Sequence, residues 1–289
     1  MSVPADADVT FIVPAYNEEG VADVVRRLHE HHPRARVVVV DDGSSDRTAE
    51  LAREAGADVV RHPYNKGNGA AVKTGLRAAK TEWIVLLDAD GQHPPEDAAR
   101  LIERLGEYDL VIGARDATAE SHWWRRLANG TYNRLASWLV GFPIADLTSG
   151  FRAARRSRML EFLHLFPNGF SYPTTSTLSF LRAGYDVTFV PIQMRFRAQG
   201  KSKIRLFHDG SHFLLIILKM VTLYSPLKVF VPLSIFFAAT GTAYGLWTFW
   251  ISGRFANGAL LAWMMATFVF LVGLISEQIN ALRSERREP

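Results

Sequence analysis

The stretch Val85-Leu86-Leu87-Asp88-Ala89-Asp90-Gly91-Gln92 decides the fold. The apolar run at 83–87 has the length of a buried strand, and it ends abruptly in two carboxylates. Ligands bind beyond the carboxyl ends of strands in open α/β sheets. In an extended segment Asp88 and Asp90 would share one side, where two hard oxygen ligands suit Mg²⁺ or Mn²⁺. The alternative is a plain turn that ends the strand, with Pro94-Pro95 opening the next helix.

Strand and helix patterns alternate five times before residue 115. Apolar, β-branched runs predict strands at 9–14, 37–40, 58–61, 83–87 and 110–112. Helical patterns fall between them, at 19–31, 46–54, 70–79 and 96–105. This alternation predicts an α/β fold with a mostly parallel sheet, covered on both faces and joined by right-handed crossovers. Beyond residue 115 the sequence predicts one helix at 122–140 and a late strand at 187–192.

The last third of the chain carries two uncharged apolar runs, at 229–251 and 259–275. About 20 such residues cross a bilayer, so the runs predict two transmembrane helices. Arg254 is the one charged residue in the connection, whereas both flanks are rich in Lys and Arg. The positive-inside rule therefore puts both flanks in the cytosol. Residues 206–223 mix charged and apolar side chains, which indicates either a helix in the membrane interface or a core helix of a soluble domain.

Composition narrows the class of protein further. The 289 residues have a net charge of +4 and no cysteine, which excludes disulfides and thiolate chemistry. Basic residues cluster at 195–228 and 283–287, beside the apolar runs. Such clusters favour an anionic membrane surface or a phosphate substrate, and no nucleic-acid partner is expected. Residues 1–8 have no apolar signal-peptide core, so we expect the N-terminal part in the cytosol.

Four short motifs follow the predicted strands: Pro-Ala-Tyr-Asn-Glu at 14–18, Asp-Asp-Gly-Ser at 41–44, Asp-Ala-Asp at 88–90 and Gly-Ala-Arg at 113–115. As an ordered set over residues 9–205, they resemble the inverting GT-A glycosyltransferases of family 2. Segments 146–152 and 197–203 are similar to the dolichyl-phosphate mannose synthases and related polyprenyl-phosphate enzymes. The two apolar helices resemble the bacterial polyprenyl-phosphate glucosyltransferase branch. The Gln-x-x-Arg-Trp motif of processive polysaccharide synthases is absent from the sequence.

The resemblance implies four segments along the chain. Residues 1–205 would form the GT-A domain, which is Rossmann-like with a mostly parallel sheet. Residues 206–227 would form a juxtamembrane amphipathic helix and 228–280 a two-helix transmembrane hairpin. Residues 281–289 would be a basic cytosolic tail. The protein would thus be a two-helix cell-membrane protein with its catalytic domain and both termini in the cytosol, and a homo-oligomer is left open.

The resemblance also assigns roles to individual residues. The donor-binding set would be Pro14, Tyr16, Glu18, Asp42, Lys66, Asp88, Asp90, Arg197, Ser202 and Lys203. Asp88, Asp90 and Gln92 would hold Mg²⁺ or Mn²⁺, and Arg115, Arg125 and Arg126 would face the acceptor phosphate. Asp90, Asp146 and Arg115 form the implied catalytic set, with Asp146 orienting the sugar or steering an arginine such as Arg152.

Simpler roles remain open for several of these residues. Glu18 at a helix start could only complement the helix dipole, and Asp146 could only cap a loop. Arg125 and Arg126 could be the solvated face of a helix, and Lys203 a membrane-surface charge. His93, beside the carboxylates, is expected to be a surface histidine rather than a ligand.

The implied activity is a metal-dependent hexosyltransferase. It would move one sugar, with inversion, from GDP-mannose or a UDP-hexose to polyprenyl or dolichyl phosphate at the cytosolic membrane face. A phosphate monoester has a second pKa near 6, so the acceptor is largely a dianion and needs no strong base. Two like charges about 4 Å apart repel by roughly 4 kcal/mol at an effective dielectric near 20, which arginine and metal charge would offset.

Two other functions stay open from the sequence. The enzyme could act on a lipid hydroxyl such as that of diacylglycerol, which would need a base, and Asp146 would be the candidate. The chain could also be a non-catalytic membrane scaffold that binds a nucleotide-sugar. Membrane lipids are expected neighbours in every case.

Overall fold

The structure is a computed structural model that describes residues 4–115, 123–169, 171–193 and 225–285, with backbone alone at 123–129 and 283–285. The chain divides into two compact units, Met1–Ser202 and Lys203–Pro289.

The first unit is built on a seven-stranded sheet with the order β3-β2-β1-β4-β6-β5-β7. Every strand pairs in parallel with its neighbours except β6, which is antiparallel to both β4 and β5. The predicted mostly parallel α/β sheet is therefore confirmed. The strands are β1 (Val9–Ala15), β2 (Arg36–Asp41), β3 (Asp58–Arg61), β4 (Trp83–Leu86), β5 (Leu110–Arg115), β6 (Arg152–Arg155) and β7 (Val187–Ile192).

Helices follow most strands and cover the sheet. The described helices of this unit are α1 (Val21–His31), α2 (Thr48–Glu54), α3 (Asn68–Ala78), α4 (Ala98–Ile102), α5 (Trp123–Val140), α6 (Arg156–Glu161) and α7 (Tyr172–Arg182). The helix predicted at 96–105 is shorter than expected: a 3₁₀ turn at Pro95–Asp97 precedes α4, and α4 ends at Ile102. Proline is tolerated at this position because the first turn of a helix leaves its amide groups without intrahelical partners.

The core lies on both faces of the sheet. All seven residues of β1 are buried, because helices cover that strand on either side. Val13 and Leu28 belong to the apolar cluster on one face, and Ile12 and Leu76 to the cluster on the other. This two-sided burial fixes where each strand ends, and the parallel strands bring their carboxyl ends to one edge.

Three elements after residue 150 are absent from the predicted pattern: β6, α6 and α7. The sequence of β6 is Arg-Ala-Ala-Arg, which carries no alternating apolar signal. Its burial comes from neighbours on both sides, and Arg152 is fully buried within it. A strand with charged ends and small middle residues cannot be recognised from local periodicity.

The second unit contains two long helices, α8 (Pro226–Ser252) and α9 (Asn257–Glu285). Both are long and apolar enough to cross a membrane, as predicted. They pack closely, since a Cβ added to Gly241 would lie 3.0 Å from Ala262 Cβ. α9 includes residues 281–285, which the sequence predicts to belong to the basic tail. Most of the predicted interfacial helix at 206–227 lies outside the described residues, and the domain boundaries stay predictions.

Candidate functional site

The loops that follow β1 and β2 are bonded to each other. Asn17, whose φ is +49°, donates its amide to Ser44 Oγ at 2.9 Å, and its side-chain oxygen accepts from the Ser45 amide at 2.9 Å. The Glu18 amide donates to Thr48 Oγ1, also at 2.9 Å. Pro14 is buried within β1, and Tyr16 is exposed. The first two strand ends therefore present one connected surface.

Asp42 fixes a third loop to this surface. Its side chain is buried and accepts from the amides of Lys66 at 2.9 Å and Gly67 at 2.7 Å. Its Oδ1 also lies 2.7 Å from Nδ1 of the buried His62. Asp42 thus sets the position of the loop that carries Lys66, whose ammonium lies 5.6 Å from the Tyr64 ring centroid. The role of Asp42 in donor binding stays a prediction.

The two central carboxylates lie on a turn rather than on strand β4. The strand ends at Leu86, one residue earlier than predicted, so strand alternation is not what orients Asp88 and Asp90. Asp90 Oδ1 accepts from the Gln92 amide at 3.1 Å, and Gly91 between them has a φ of +69°. All three predicted metal-binding side chains are half-buried. The two readings that the sequence allows, a turn after β4 and a pair of carboxylates that binds a metal ion, are therefore compatible.

His93 is not the surface residue that the sequence predicted. It is 4% exposed and stacks on Phe151 with 5.3 Å between ring centroids. Burial lowers its pKa to about 4, so the imidazole is neutral at physiological pH. Its Nδ1 lies 3.7 Å from Asp88 Oδ2, beside the acidic turn. The stacking partner, Phe151, immediately precedes β6, a strand that the sequence does not predict.

The acidic turn has the donor chemistry that a divalent cation needs. Among residues 4–115, 123–169, 171–193 and 225–285, no group of three or more His, Cys, Asp or Glu side chains could hold a metal ion. The turn offers two carboxylates and the Gln92 amide, which are hard oxygen donors. Mg²⁺ and Mn²⁺ sites commonly use one or two carboxylates and complete the shell with water and substrate phosphates. The residues present therefore fit such an ion.

Arg115, at the end of β5, is held by Asp146. The guanidinium donates from Nε to Oδ2 at 2.6 Å and from Nη2 to Oδ1 at 2.9 Å, and also donates to Thr148 Oγ1. Burial alone would raise the pKa of Asp146, but the hydrogen bonds and charge of Arg115 outweigh it and keep that pKa below its ordinary value. Asp146 is therefore an ionised carboxylate at neutral pH.

Asp146 thus orients Arg115. The sequence suggested Arg152 as its partner, and the structure corrects this. The Arg152 guanidinium instead donates to the carbonyl oxygens of Ser149 and Pro173 and to Ser176 Oγ. Those acceptors are neutral.

Asn133 is a supporting residue that the sequence did not reveal. From α5, its side-chain amide donates to the Ala145 carbonyl at 2.7 Å and accepts from the Leu147 amide at 3.2 Å. These two bonds hold the chain on either side of Asp146. The residue is an ordinary polar position in a helix, so the sequence contains no signal for this role.

Several predicted site residues have side chains outside the described part of the chain. Arg125 and Arg126 belong to the backbone of α5, but their side chains are not described. Arg197, Ser202 and Lys203 lie outside the described residues. The structure thus brings together the loops bearing Tyr16, Glu18, Asp42 and Lys66, and it pairs Arg115 with Asp146.

Comparison with known families identifies the class. Residues 10–162 match the model of Glycosyl transferase family 2, and the chain belongs to that family. Residues 225–282 match the model described as the GtrB C-terminal hairpin, which covers most of α8 and α9. The resemblance that the strand-end motifs suggested is therefore confirmed.

Two relatives and one solved structure illustrate the similarity. Glycosyltransferase AglJ of Haloferax volcanii is 30% identical over 300 residues, which cover 98% of this chain and 97% of that protein. Polyprenol monophosphomannose synthase of Mycolicibacterium smegmatis is 37% identical over 216 residues, covering 67% and 79%. Glucosyl-3-phosphoglycerate synthase from Mycobacterium tuberculosis, solved with Mn²⁺ and UDP-glucose, has a TM-score of 0.60 and 22% identity over 74% of this chain and 77% of that one. This last similarity concerns the fold alone.

Proposed function

We propose that this glycosyltransferase moves one sugar from a nucleotide-sugar to a polyprenyl phosphate, with inversion at the anomeric carbon. Membership of family 2 supports sugar transfer. Relatives named polyprenol monophosphomannose synthase and undecaprenyl-phosphate mannosyltransferase support the lipid phosphate acceptor. The donor would be GDP-mannose or a UDP-hexose.

The observation that carries the proposal is the pairing of Arg115 with Asp146. A phosphate acceptor needs a fixed positive charge, because it must approach a diphosphate of the same sign. Asp146 accepts two hydrogen bonds from the guanidinium of Arg115 and so fixes its plane. In our proposal that guanidinium meets the acceptor phosphate, together with Arg125 and Arg126.

The same pairing argues against a lipid hydroxyl as acceptor. Attack by a hydroxyl needs a general base whose pKa is near the working pH. Asp146 has a pKa below its ordinary value because of its bonds to Arg115, which makes it a poor base. A lipid phosphate already carries its negative charge at neutral pH and needs no such base. Asp146 therefore acts as a positioning residue in the proposed reaction.

We infer that Asp88, Asp90 and Gln92 hold Mg²⁺ or Mn²⁺ beside the donor diphosphate. A bound divalent ion would stabilise the negative charge that develops on the departing nucleoside diphosphate. Tyr16, Glu18, Asp42 and Lys66 would line the nucleotide pocket. Pro14 would support its floor, whereas Arg197, Ser202 and Lys203 would close over the diphosphate.

We further propose that α8 and α9 cross the membrane, with the catalytic unit and both termini in the cytosol. The Lys- and Arg-rich flanks of the two helices support this orientation. The lipid acceptor would then be drawn from the same bilayer that holds the helices, and the basic segment 195–228 would lie near its headgroups.

The decisive experiment is a donor screen on membranes that contain the full-length protein. GDP-mannose, UDP-glucose and related donors are offered with polyprenyl phosphate, with polyprenol or with diacylglycerol, and products are identified by mass. We expect a single sugar added to polyprenyl phosphate, with no product on either alcohol. A product on diacylglycerol alone would reject the lipid phosphate assignment. Donor binding without any product would indicate a scaffold.

A further inference from the structure

Gly150 lies directly against the Asp88 carboxylate. β6 runs antiparallel to β4 with Leu86 opposite Arg152, so the segment that precedes β6 passes the residues that follow β4. A Cβ added to Gly150 would lie 2.8 Å from Asp88 Oδ2 and 3.2 Å from both Cγ and Oδ1. These are the three nearest atoms to that position. The space that a side chain at residue 150 would need is occupied by the carboxylate.

This glycine is required for space and not for backbone conformation. Its φ is not positive, unlike that of Gly91 in the acidic turn. Residue 150 therefore does not need the left-handed backbone that favours glycine. Because the clash is with the end of a flexible side chain, substitution should move the carboxylate rather than the sheet.

Two buried side chains hold Gly150 in place. Arg152 is fully buried and donates from Nη2 to the Ser149 carbonyl at 2.5 Å and from Nη1 to the Pro173 carbonyl at 2.9 Å. Tyr172 donates its hydroxyl to the Gly150 carbonyl at 3.4 Å. The segment is thus bonded on both sides of its contact with Asp88.

Arg152 also puts a buried positive charge near the acidic residues. Burial lowers its pKa to about 10, while the negative charges of Asp146 and Asp88 act to raise it. The guanidinium therefore remains protonated at neutral pH, despite its complete burial.

We propose that Gly150, held by Tyr172 and Arg152, sets the position of the Asp88 carboxylate for binding a divalent cation. The inference rests on the metal site of the proposed function and adds three positioning residues to it. None of them contacts the substrate in this proposal, since each acts through Asp88.

The test uses full-length protein in detergent, titrated with Mn²⁺ in the presence of GDP and, in parallel, UDP. Free Mn²⁺ is followed by electron paramagnetic resonance, which does not depend on turnover. We expect Gly150→Ala to raise the apparent Kd for Mn²⁺ about tenfold or more, while the thermal unfolding temperature changes by less than about 2 °C. Gly130→Ala is the matched control, because a Cβ there meets nothing within 4 Å; it should leave the Kd unchanged.

Tyr172→Phe provides a second, milder variant. It removes the hydrogen bond to the Gly150 carbonyl and keeps the ring, and we expect the Kd for Mn²⁺ to rise about threefold. This variant decides the question if Gly150→Ala fails to fold. Unchanged Mn²⁺ binding in the folded variants, or no Mn²⁺ binding by the wild type, would overturn the inference. A wild type that binds Mn²⁺ but glycosylates no lipid phosphate would reject the proposed function and leave the positioning role standing.

Discussion

Asp146 accepts two hydrogen bonds from the guanidinium of Arg115, one to each carboxylate oxygen, at 2.6 Å and 2.9 Å. The two residues are 31 positions apart in the chain. Two parallel N–H···O bonds fix both the distance and the plane of the guanidinium, which a single contact does not. The pair therefore orients a cation at the end of β5.

Breaking this pair should impair sugar transfer more than folding. We expect Asp146→Asn to lower kcat/KM for polyprenyl phosphate about 100-fold, because Arg115 loses its fixed orientation. Asp146→Asn and Arg115→Gln should be strongly non-additive in a double-mutant cycle, since each removes the same interaction. Asp109→Asn is the control. It breaks the ion pair between Arg155 and Asp109, which immediately precedes β5, and it should leave kcat/KM for polyprenyl phosphate unchanged. Additive losses would contradict a shared role.

The same pair gives a prediction for pH. The pKa of Asp146 in the folded protein is below its ordinary value of 3.8, so its ionised form stabilises the fold. That stabilisation is complete above the ordinary pKa and is lost as the pH falls through the folded-state pKa. The difference in Tm between wild type and Asp146→Asn should be constant from about pH 5 to 8 and shrink only below about pH 4. A difference that already shrinks at pH 6 would refute the lowered pKa.

Asn133 should act on the reaction through the loop that carries Asp146. Asn133→Ala removes the bonds to Ala145 and Leu147, and we expect kcat/KM for the acceptor to fall about tenfold. Tyr132→Phe, on the same helix, removes instead a hydroxyl that lies 3.2 Å from Thr174 Oγ1. It should leave the acceptor kinetics unchanged. Equal effects of the two variants on kcat/KM would show that helix packing, rather than the loop, is responsible.

Two glycines with the same backbone angle separate conformational strain from close packing. Gly43 and Gly184 both have a φ of +76°. A Cβ on Gly43 would lie 2.6 Å from the Tyr64 carbonyl carbon, whereas one on Gly184 meets nothing within 4 Å. Gly184→Ala should lower the free energy of unfolding by about 1 kcal/mol, because alanine disfavours the left-handed backbone. Gly43→Ala should lower it by about 2 kcal/mol more, because of the added clash with Tyr64. Thermal unfolding of the full-length protein measures both changes in stability. Equal changes would mean that the loop at Tyr64 moves aside at no cost in free energy.

The absence of cysteine allows a direct test of membrane orientation. Arg254→Cys introduces a thiol between α8 and α9, and Glu103→Cys introduces one on an exposed position after α4. A membrane-impermeant maleimide should label residue 254 in intact cells and residue 103 only after permeabilisation. Labelling of both thiols, or of residue 103 alone, in intact cells would reject the proposed orientation.

The sequence alone determined the features that depend on short-range pattern. Runs of β-branched residues predicted β2, the alternation of strand and helix predicted a mostly parallel sheet, and two uncharged runs predicted α8 and α9. The strand-end motifs identified the family, because each motif is contiguous. Hydrophobic periodicity is a local property, so each of these elements can be recognised from its own residues alone.

Only the tertiary structure decided which side chains meet. β6 has no apolar alternation, so its antiparallel register could not be predicted, and that register is what brings Gly150 against Asp88. The choice of Arg115 rather than Arg152 as the partner of Asp146 likewise depends on how distant strands end side by side. His93 is buried for the same reason, since its stacking partner Phe151 comes from a distant segment. Contacts between residues far apart in the chain follow from packing, which local periodicity does not encode.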